Sequence, residues 1–201
     1  MPDPGPGGGR TAPPTDLTRP RRTDAQGNRA RIVACAGAAL ADRPDATLQS
    51  IARAAGVGQG TMYRHFPRRE ALLIAVYRSD VDALVLAAPR LLADHEPLEA
   101  LRRWVGRLAA YGRGGPGVAQ ALEAATRPDL GGPAYPALAA ALGRILAACD
   151  AAGLLRPGVS ADEVLLLVSF LWKVDDGPDR PARTDRMLGI VIDGLRSTAR
   201  A

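Results

Sequence analysis

The chain has 201 residues and a formal net charge of +5, and 47% of its residues are hydrophobic, which is enough for one small domain and one of ordinary size. The charge is uneven: residues 1–72 contain 11 arginines and 6 acidic residues, whereas residues 73–201 contain equal numbers of basic and acidic residues. A basic region beside a neutral one is typical of nucleic-acid binding, and no apolar run is long enough to span a membrane.

The N-terminal segment is rich in glycine and proline up to about Pro20 and lacks the apolar core of a signal peptide. This composition predicts a disordered basic arm over residues 1–23 of a cytoplasmic protein. Arg19, Arg21 and Arg22 close the arm. An arm of this kind either enters a minor groove of DNA or only keeps the protein soluble, and the sequence leaves both open.

Two short helices joined by a glycine turn are predicted over residues 47–66, after a first helix from Asp24 to Ala41. Thr47 is placed to cap the first of the two, Gly56 to end it in the left-handed conformation, and Val57 to plug the turn. This pattern is a helix-turn-helix, whose second helix fits a DNA major groove. The apolar positions are Leu48, Ile51, Ala52 and Ala55 in one helix and Met62 and Phe66 in the other.

The second of these helices, from about Gln59, carries polar and basic side chains on its outward side and no acidic one. Such a set suits phosphates and base edges, although an ordinary helical hairpin with a solvated polar face is the alternative. Gly58 and Gly60 favour DNA binding, because each costs about 1 kcal/mol of helix stability and close approach to another surface would explain that cost. The outward side chains are Gln59, Thr61, Tyr63, Arg64 and His65.

These residues resemble the DNA-binding domain of TetR-type bacterial transcriptional regulators over about residues 24–84. The matching motifs are Thr-Leu-x-x-Ile-Ala-x-x-Ala-Gly-Val from Thr47, Gly-Thr-Met-Tyr-Arg-His-Phe from Gly60, and Arg-Glu-Ala-Leu-Leu from Arg69. Gly58 departs from the serine or alanine common in the family, and Arg68 from a small capping residue. The DNA contacts that the resemblance implies are Gln59, Gly60 and Thr61 near bases and Thr47, Tyr63, His65 and Arg69 at phosphates. Arg64 joins them as an outward side chain of the same helix, and the departure at Arg68 is expected to add a phosphate contact.

The other helices are predicted from apolar spacing and from the glycines and prolines that interrupt it. No stretch alternates with period two, so the expected fold is all-α with about nine helices. A three-helix DNA-binding domain is expected over residues 24–84, and a helical effector-binding and dimerisation domain over residues 85–201. The helices predicted after the helix-turn-helix run from Arg68 to near Pro89, Pro97 to Tyr111, Val118 to Ala125, and Tyr135 to Ala152, and the first of them links the two parts.

The last part of the chain is strongly apolar. Ser160-Ala-Asp-Glu163 is a capping box that starts a helix reaching Val174, and a second apolar stripe runs from Met187 to Leu195. A helix apolar on nearly every side must be covered either by the chain's own core or by a second copy, and TetR-type proteins usually dimerise here. The expected homodimer interface consists of Leu167, Leu171, Leu188, Val191 and Leu195.

An effector pocket is expected between the DNA-binding helices and the dimer helices, because many TetR-type proteins have a cavity there. Plain core packing is the alternative for each residue chosen. The candidate lining residues are Trp104, Leu108, Tyr111, Leu122, Leu146 and Phe170, which fall on apolar helix faces.

Catalysis finds no support in the sequence. His65 lies in the second helix of the helix-turn-helix and His95 in a polar loop, and no metal-ligand spacing, phosphate loop or nucleophile elbow is present. Cys35 and Cys149 lie in apolar helical patterns and are expected to be reduced core residues, with a redox-sensing pair as the alternative. We therefore expect no enzyme, no cofactor and no metal.

The expected function is that of a homodimeric regulator bound to a pseudo-palindromic double-stranded DNA operator, usually a repressor in the TetR family, and released by an unidentified small-molecule effector. Two alternatives stay open. One is a helical small-molecule- or protein-binding module whose DNA-binding half is no longer used. The other is an architectural DNA-binding protein without an effector.

Overall fold

The computed structural model of the chain describes residues 18–113, 115–172, 174 and 177–197, with side chains from residue 25 onward. Over these residues the protein is all-helical, as predicted, with ten α-helices and no strand. No helix in this part is long and apolar enough to cross a membrane. The elements are α1 (Thr18–Asp42), α2 (Leu48–Ala54), α3 (Gln59–His65), α4 (Arg69–Val76), α5 (Arg78–Asp94), α6 (Pro97–Gly112), α7 (Pro116–Ala125), α8 (Ala134–Ala151), α9 (Ala161–Leu167), a 3₁₀ segment (Val168–Trp172) and α10 (Arg180–Leu195).

Helices α1 to α4 form the N-terminal domain around a small apolar core. In α1, Ile32, Ala36 and Leu40 recur every four residues, which aligns them on one buried face of the helix. Ala121 of α7 belongs to the same core, so the N-terminal domain packs directly against the rest of the chain. The remaining buried members are Ala46, Ile51, Ala52, Ala55, Met62, Phe66, Leu72 and Leu73.

Helices α5 to α10 surround a second, larger core in which α5 packs against α6 and α8. Trp104 of α6 is fully buried there, and its indole Nε1 donates a hydrogen bond to the carbonyl oxygen of Leu84 at 2.9 Å. Among the described residues, no buried side-chain nitrogen or oxygen lacks a hydrogen-bond partner. The larger core is therefore apolar with its few polar groups satisfied, which is the condition for stable burial.

The two cysteines belong to different cores. Cys149 is fully buried in the larger core, Cys35 is half-buried against the smaller one, and both thiols are free. Burial raises the pKa of the Cys149 thiol to about 11. The prediction of a reduced core residue is therefore confirmed for Cys149. Cys35 is also a free thiol, but it lies at the edge of its core and is only half-buried.

The first helix starts earlier than predicted. Helix α1 begins at Thr18 rather than near Asp24, so the backbone of the three arginines that close the predicted arm is helical. Residues 1–17, which make up most of that arm, lie outside the described residues.

The helix predicted from Arg68 to Pro89 is in fact two helices, α4 and α5, which meet at Tyr77 (φ −99°, ψ 28°). Pro89 does not end α5. It is exposed, whereas Ala88 and Leu91 beside it are buried, and this packing carries the helix past the proline. The predicted domain boundary therefore falls inside α5.

Candidate nucleic-acid interface

The turn between α2 and α3 fixes the geometry of the helix-turn-helix. Thr47 is the N-cap of α2, because its Oγ1 accepts a hydrogen bond from the backbone N–H of Ser50 at 3.1 Å. At the other end Gly56 adopts φ +63°, and the N–H groups of Gly56 and Val57 donate back to carbonyls in the last turn of α2. The predicted cap and left-handed glycine are both confirmed, and together they set the direction in which the chain enters α3.

Helix α3 is held by one side and exposes the other. Met62 is 1% exposed and Phe66, just after the helix, is 2% exposed, so both are anchored in the small core. Tyr63 on the opposite side is 51% exposed. The other predicted DNA-contact residues of this helix are also accessible: Gln59, Gly60 and Arg64 are exposed, and Thr61 and His65 are half-buried.

Gly58 and Gly60 leave open space at the start of α3. Neither glycine has a positive φ, and a Cβ placed on either would meet no atom within 4 Å beyond the adjoining residues and the backbone of its own helix. Gly58 is the N-cap of α3 and provides no side-chain hydrogen bond there. The fold itself therefore does not require glycine at these positions, and what glycine provides is access to the first turn of α3 from outside.

The charge around α3 is of one sign. Residues 47–69 include four arginines and no acidic residue. Arg64 folds back along the helix, where its Nε donates to the carbonyl oxygen of Gly60 at 3.1 Å and its Nη2 to Oγ1 of Thr61 at 3.3 Å. This places a guanidinium charge beside the exposed first turn of α3, with further N–H donors not used by those two bonds.

The structure gives Arg69 internal partners in place of the phosphate contact expected for it. Its Nη1 donates to the carbonyl oxygen of Ala46, and its Nη2 to the carbonyl oxygen of Pro44 and to Oε1 of Gln120 at 3.3 Å. The guanidinium thus ties the loop before α2 to α4 and α7. These bonds give Arg69 a structural role, and the phosphate contact expected for it stays a prediction.

Arg68 is exposed, and it also reaches the second domain. Its Nη1 donates to the carbonyl oxygen of Asp129, in the loop between α7 and α8, at 2.9 Å. The carboxylate of Asp129 accepts two hydrogen bonds from Arg127, at 3.1 and 2.9 Å, and these bonds hold the pKa of Asp129 below its usual value. Nothing in the sequence marks Asp129 or Gln120 as partners of the helix-turn-helix.

Two family models match the chain. The model described as bacterial regulatory proteins, tetR family, matches residues 44–76, and the model described as transcriptional regulator SbtR-like, C-terminal domain, matches residues 96–197. The first match encloses α2, α3 and α4, and the second covers half of the chain. This chain belongs to the TetR family.

Individual relatives agree with this membership. A TetR transcriptional regulator of Streptomyces coelicolor is 39% identical, with a TM-score of 0.56, and the match covers 85% of this chain and 99% of that one. The TetR-family repressor FadR of Thermus thermophilus, solved with lauroyl-CoA, is 25% identical with a TM-score of 0.62 and coverage of 86% and 98%. The transcriptional repressor LfrR of Mycolicibacterium smegmatis is 40% identical over 77 residues, which span 38% of this chain and 41% of that protein's length.

In the part of this TetR-family chain that the structure describes, two of the predicted effector-pocket residues line separate clefts. Tyr111 lines a cleft of about 470 Å³, and Leu146 lines another of about 270 Å³. The other four residues fit the alternative of plain core packing, because they lie in or against the larger core: Trp104, Leu108, Leu122 and Phe170.

The residues predicted to form the dimer interface differ in how far their side chains are exposed. Three of them are buried in the chain's own core: Leu171, Leu188 and Leu195. Val191 is partly buried, and Leu167, where α9 gives way to the 3₁₀ segment, is exposed. Two apolar side chains that sequence reasoning passed over are more exposed still, Leu166 at 72% and Ile190 at 73%. The free apolar surface of α9 and α10 is thus carried mainly by Leu166, Leu167 and Ile190.

Proposed function

We propose that this chain is a homodimeric, sequence-specific DNA-binding repressor that a small-molecule ligand releases from a pseudo-palindromic operator. The observation that carries the proposal is the outward side of α3. That side presents an amide, a phenol and a guanidinium without any carboxylate, and Gly58 and Gly60 leave its first turn open. The matches to family models and to regulators of transcription support the same function.

The proposed DNA contacts divide by chemistry. Gln59, Gly60 and Thr61, in the first turn of α3, approach base edges in the major groove. Tyr63, Arg64 and His65, with Thr47 at the start of α2, contact phosphates, which position the protein without reading sequence. Arg69 is left out of this set because its guanidinium donates to Pro44, Ala46 and Gln120 of the chain itself. Arg68 is left out because its Nη1 donates to the carbonyl oxygen of Asp129 in the loop between α7 and α8.

A dimer is required for two α3 helices to read one operator. Half-sites one helical turn apart need recognition helices about 34–36 Å apart. We place the contact between the two copies at the exposed apolar side chains of α9 and α10, namely Leu166, Leu167 and Ile190, because large apolar side chains exposed on a single chain mark candidate protein–protein contacts.

Ligand release follows from linkage. A ligand that binds more tightly to the arrangement with the wrong spacing of α3 weakens DNA binding, and DNA weakens the ligand by the same factor. A coupling of about 1–3 kcal/mol would lower operator affinity roughly 5- to 150-fold. Two relatives support a repressor: LfrR is a repressor, and FadR is a repressor solved with lauroyl-CoA.

The test begins with selection of binding sites from random duplex DNA at fixed salt. A regulator of the proposed kind should select an inverted repeat, whereas an architectural DNA-binding protein should select none. A chain whose DNA-binding half is unused should show no salt-dependent binding at all.

Two variants then separate base reading from phosphate contact. Gln59→Ala should relax selection at one base pair of each half-site by about 1–3 kcal/mol. Tyr63→Phe should weaken binding to all sequences equally, since a phosphate contact carries no base information. An unchanged selected sequence for Gln59→Ala would remove that residue from the reading set.

A further inference from the structure

A cleft of about 400 Å³ lies where the two domains meet, apart from the residues predicted to line an effector pocket. One wall comes from α1, the loop between α3 and α4, and α4. The other comes from α5, α8 and the loop between α7 and α8. The volume is that of an ordinary small-molecule site.

The cleft is apolar inside. Ile74 of α4, Val81 of α5 and Leu130 of the loop before α8 all line it, and Val81 belongs to the larger core. Phe66, just after α3, also lines the cleft. A hydrocarbon or aromatic group placed here would be removed from water against aliphatic side chains of both domains.

The cleft also carries excess positive charge from Arg29, Arg68 and Arg78, against Asp82 as its acidic residue. Arg78 donates to Asp82 at 3.3 Å, so these two neutralise each other. Arg29 and Arg68 are the charges left over.

Both remaining guanidinium groups have donors to spare. The guanidinium of Arg29 sits 5.2 Å from the ring centre of Phe66, and no carboxylate pairs with it among the described residues. Arg68 gives one N–H to a backbone carbonyl of the α7–α8 loop. Each guanidinium has five N–H donors in a planar fork suited to an anion.

We propose that this cleft binds a small amphipathic organic anion. Its apolar part lies on Ile74, Val81 and Leu130, and its anionic group accepts hydrogen bonds from Arg29 and Arg68. A nucleic-acid phosphate would satisfy the arginines but would leave the apolar interior empty, so a small amphipathic molecule fits better than DNA. Such a ligand touches both domains at once and holds them in one arrangement.

The binding test uses the fluorescent anion 8-anilinonaphthalene-1-sulfonate and its neutral analogue N-phenyl-1-naphthylamine on the full chain. Arg29→Gln should weaken the sulfonate roughly tenfold or more, the effect of one lost charge-assisted hydrogen bond, and leave the neutral analogue unchanged. Ala137→Trp fills the cleft from an exposed position of α8 and should abolish this binding of both probes.

Ala151→Trp is the matched control, because Ala151 is also exposed on α8 but does not line the cleft. All three variants should melt like the parent chain. Equal sulfonate affinity in Arg29→Gln, or binding that Ala137→Trp leaves intact, would overturn the site.

The regulatory consequence rests on the proposed function. The sulfonate should change operator affinity in the parent chain and have no effect in Ala137→Trp. If the chain bound no operator, the proposed function would be refuted. The fluorescence titrations with the two probes would still decide whether the cleft is a ligand site. Operator binding that the bound probe left unchanged would show that the cleft does not control DNA binding.

Discussion

The phenol of Tyr77, at the junction of α4 and α5, lies against the backbone of Gly117 in α7. A Cβ on Gly117 would lie 2.9 Å from Cζ and 3.1 Å from Cε2 of the Tyr77 ring, closer than packed carbon atoms approach. Burial, and then the neighbouring Asp80, raise the pKa of this phenol. Tyr77, which separates α4 from α5, therefore packs against the first turn of α7. The close packing between the DNA-binding half and the rest of the chain depends on glycine at position 117.

Gly117→Ala should destabilise the chain by about 1–3 kcal/mol, because the Tyr77 ring must move to admit the methyl group. In a Tyr77→Ala background the same change should be neutral or stabilising, since alanine favours a helix over glycine. Urea denaturation of the four proteins of this cycle measures both effects. Equal costs in the two backgrounds would mean that the ring does not constrain position 117.

Arg69→Met should lower the free energy of unfolding by about 1.5–3 kcal/mol, because it leaves two partly buried carbonyl groups of the loop before α2 without their charged donor. Arg53→Met is the control, since Arg53 is an exposed arginine of α2, and it should change stability by no more than about 0.5 kcal/mol. If Arg69→Met instead preserved stability and made the salt dependence of DNA binding shallower, the phosphate role first expected for Arg69 would be restored.

The helix-turn-helix could be predicted from sequence because its determinants are local. Thr47 caps a helix through a residue three positions on, Gly56 ends it with bonds inside five residues, and Met62 and Phe66 share a face by helical spacing. The all-helical fold followed for the same reason. Each of these features depends only on neighbours along the chain.

The roles of Arg68 and Arg69 could not be predicted because their partners are distant in sequence. Gln120 is 51 residues from Arg69, and Asp129 is 61 residues from Arg68. The stripe of α10 shows a second limit: Leu188 and Ile190 are both apolar, yet one is buried and the other is 73% exposed. Periodicity finds an apolar face but does not say whether the same chain covers it.

Stability should fall as the pH rises above about 9, because burial raises the pKa of Cys149 from 9.0 to about 11. Between these values the folded state keeps a proton that the unfolded state has lost, so the stabilisation present below pH 9 is removed, up to about 2–3 kcal/mol by pH 11. Denaturation of the parent and Cys149→Ala at a series of pH values isolates this effect. The pKa of Tyr135 is raised from 10.0 to about 12, so this phenol causes a further loss of stability above pH 10. That loss is the same in the parent and in Cys149→Ala. Parallel pH curves for the two proteins would refute the assignment to Cys149.

Ile190→Asp and Leu167→Asp should each give folded monomers, because both side chains are exposed in the single chain and a charge there would be buried between two copies. Leu86→Asp is the control: Leu86 is an exposed leucine of α5 outside the proposed contact, and its variant should stay dimeric. Light scattering with circular dichroism gives mass and folding together. Dimers for both Ile190→Asp and Leu167→Asp would move the interface elsewhere.

Gly60→Ala should change stability and DNA binding in opposite directions. Its φ is not positive and a Cβ there meets no atom within 4 Å beyond the adjoining residues and the backbone of α3 itself, so alanine should stabilise α3, by about 0.5–1 kcal/mol at most. If α3 approaches base edges as proposed, the added methyl group occupies the space between the helix and the groove, and operator affinity should fall even though the protein is more stable. Ala54→Gly is the converse control at an exposed position of α2, outside the helix that reads the groove. It should lower the stability of the protein, because glycine disfavours a helix, but it should not lower operator affinity. Thermal melting and operator titration on the same samples decide the matter: a Gly60→Ala protein that was more stable and bound its operator as tightly as the parent would show that the first turn of α3 does not approach DNA closely.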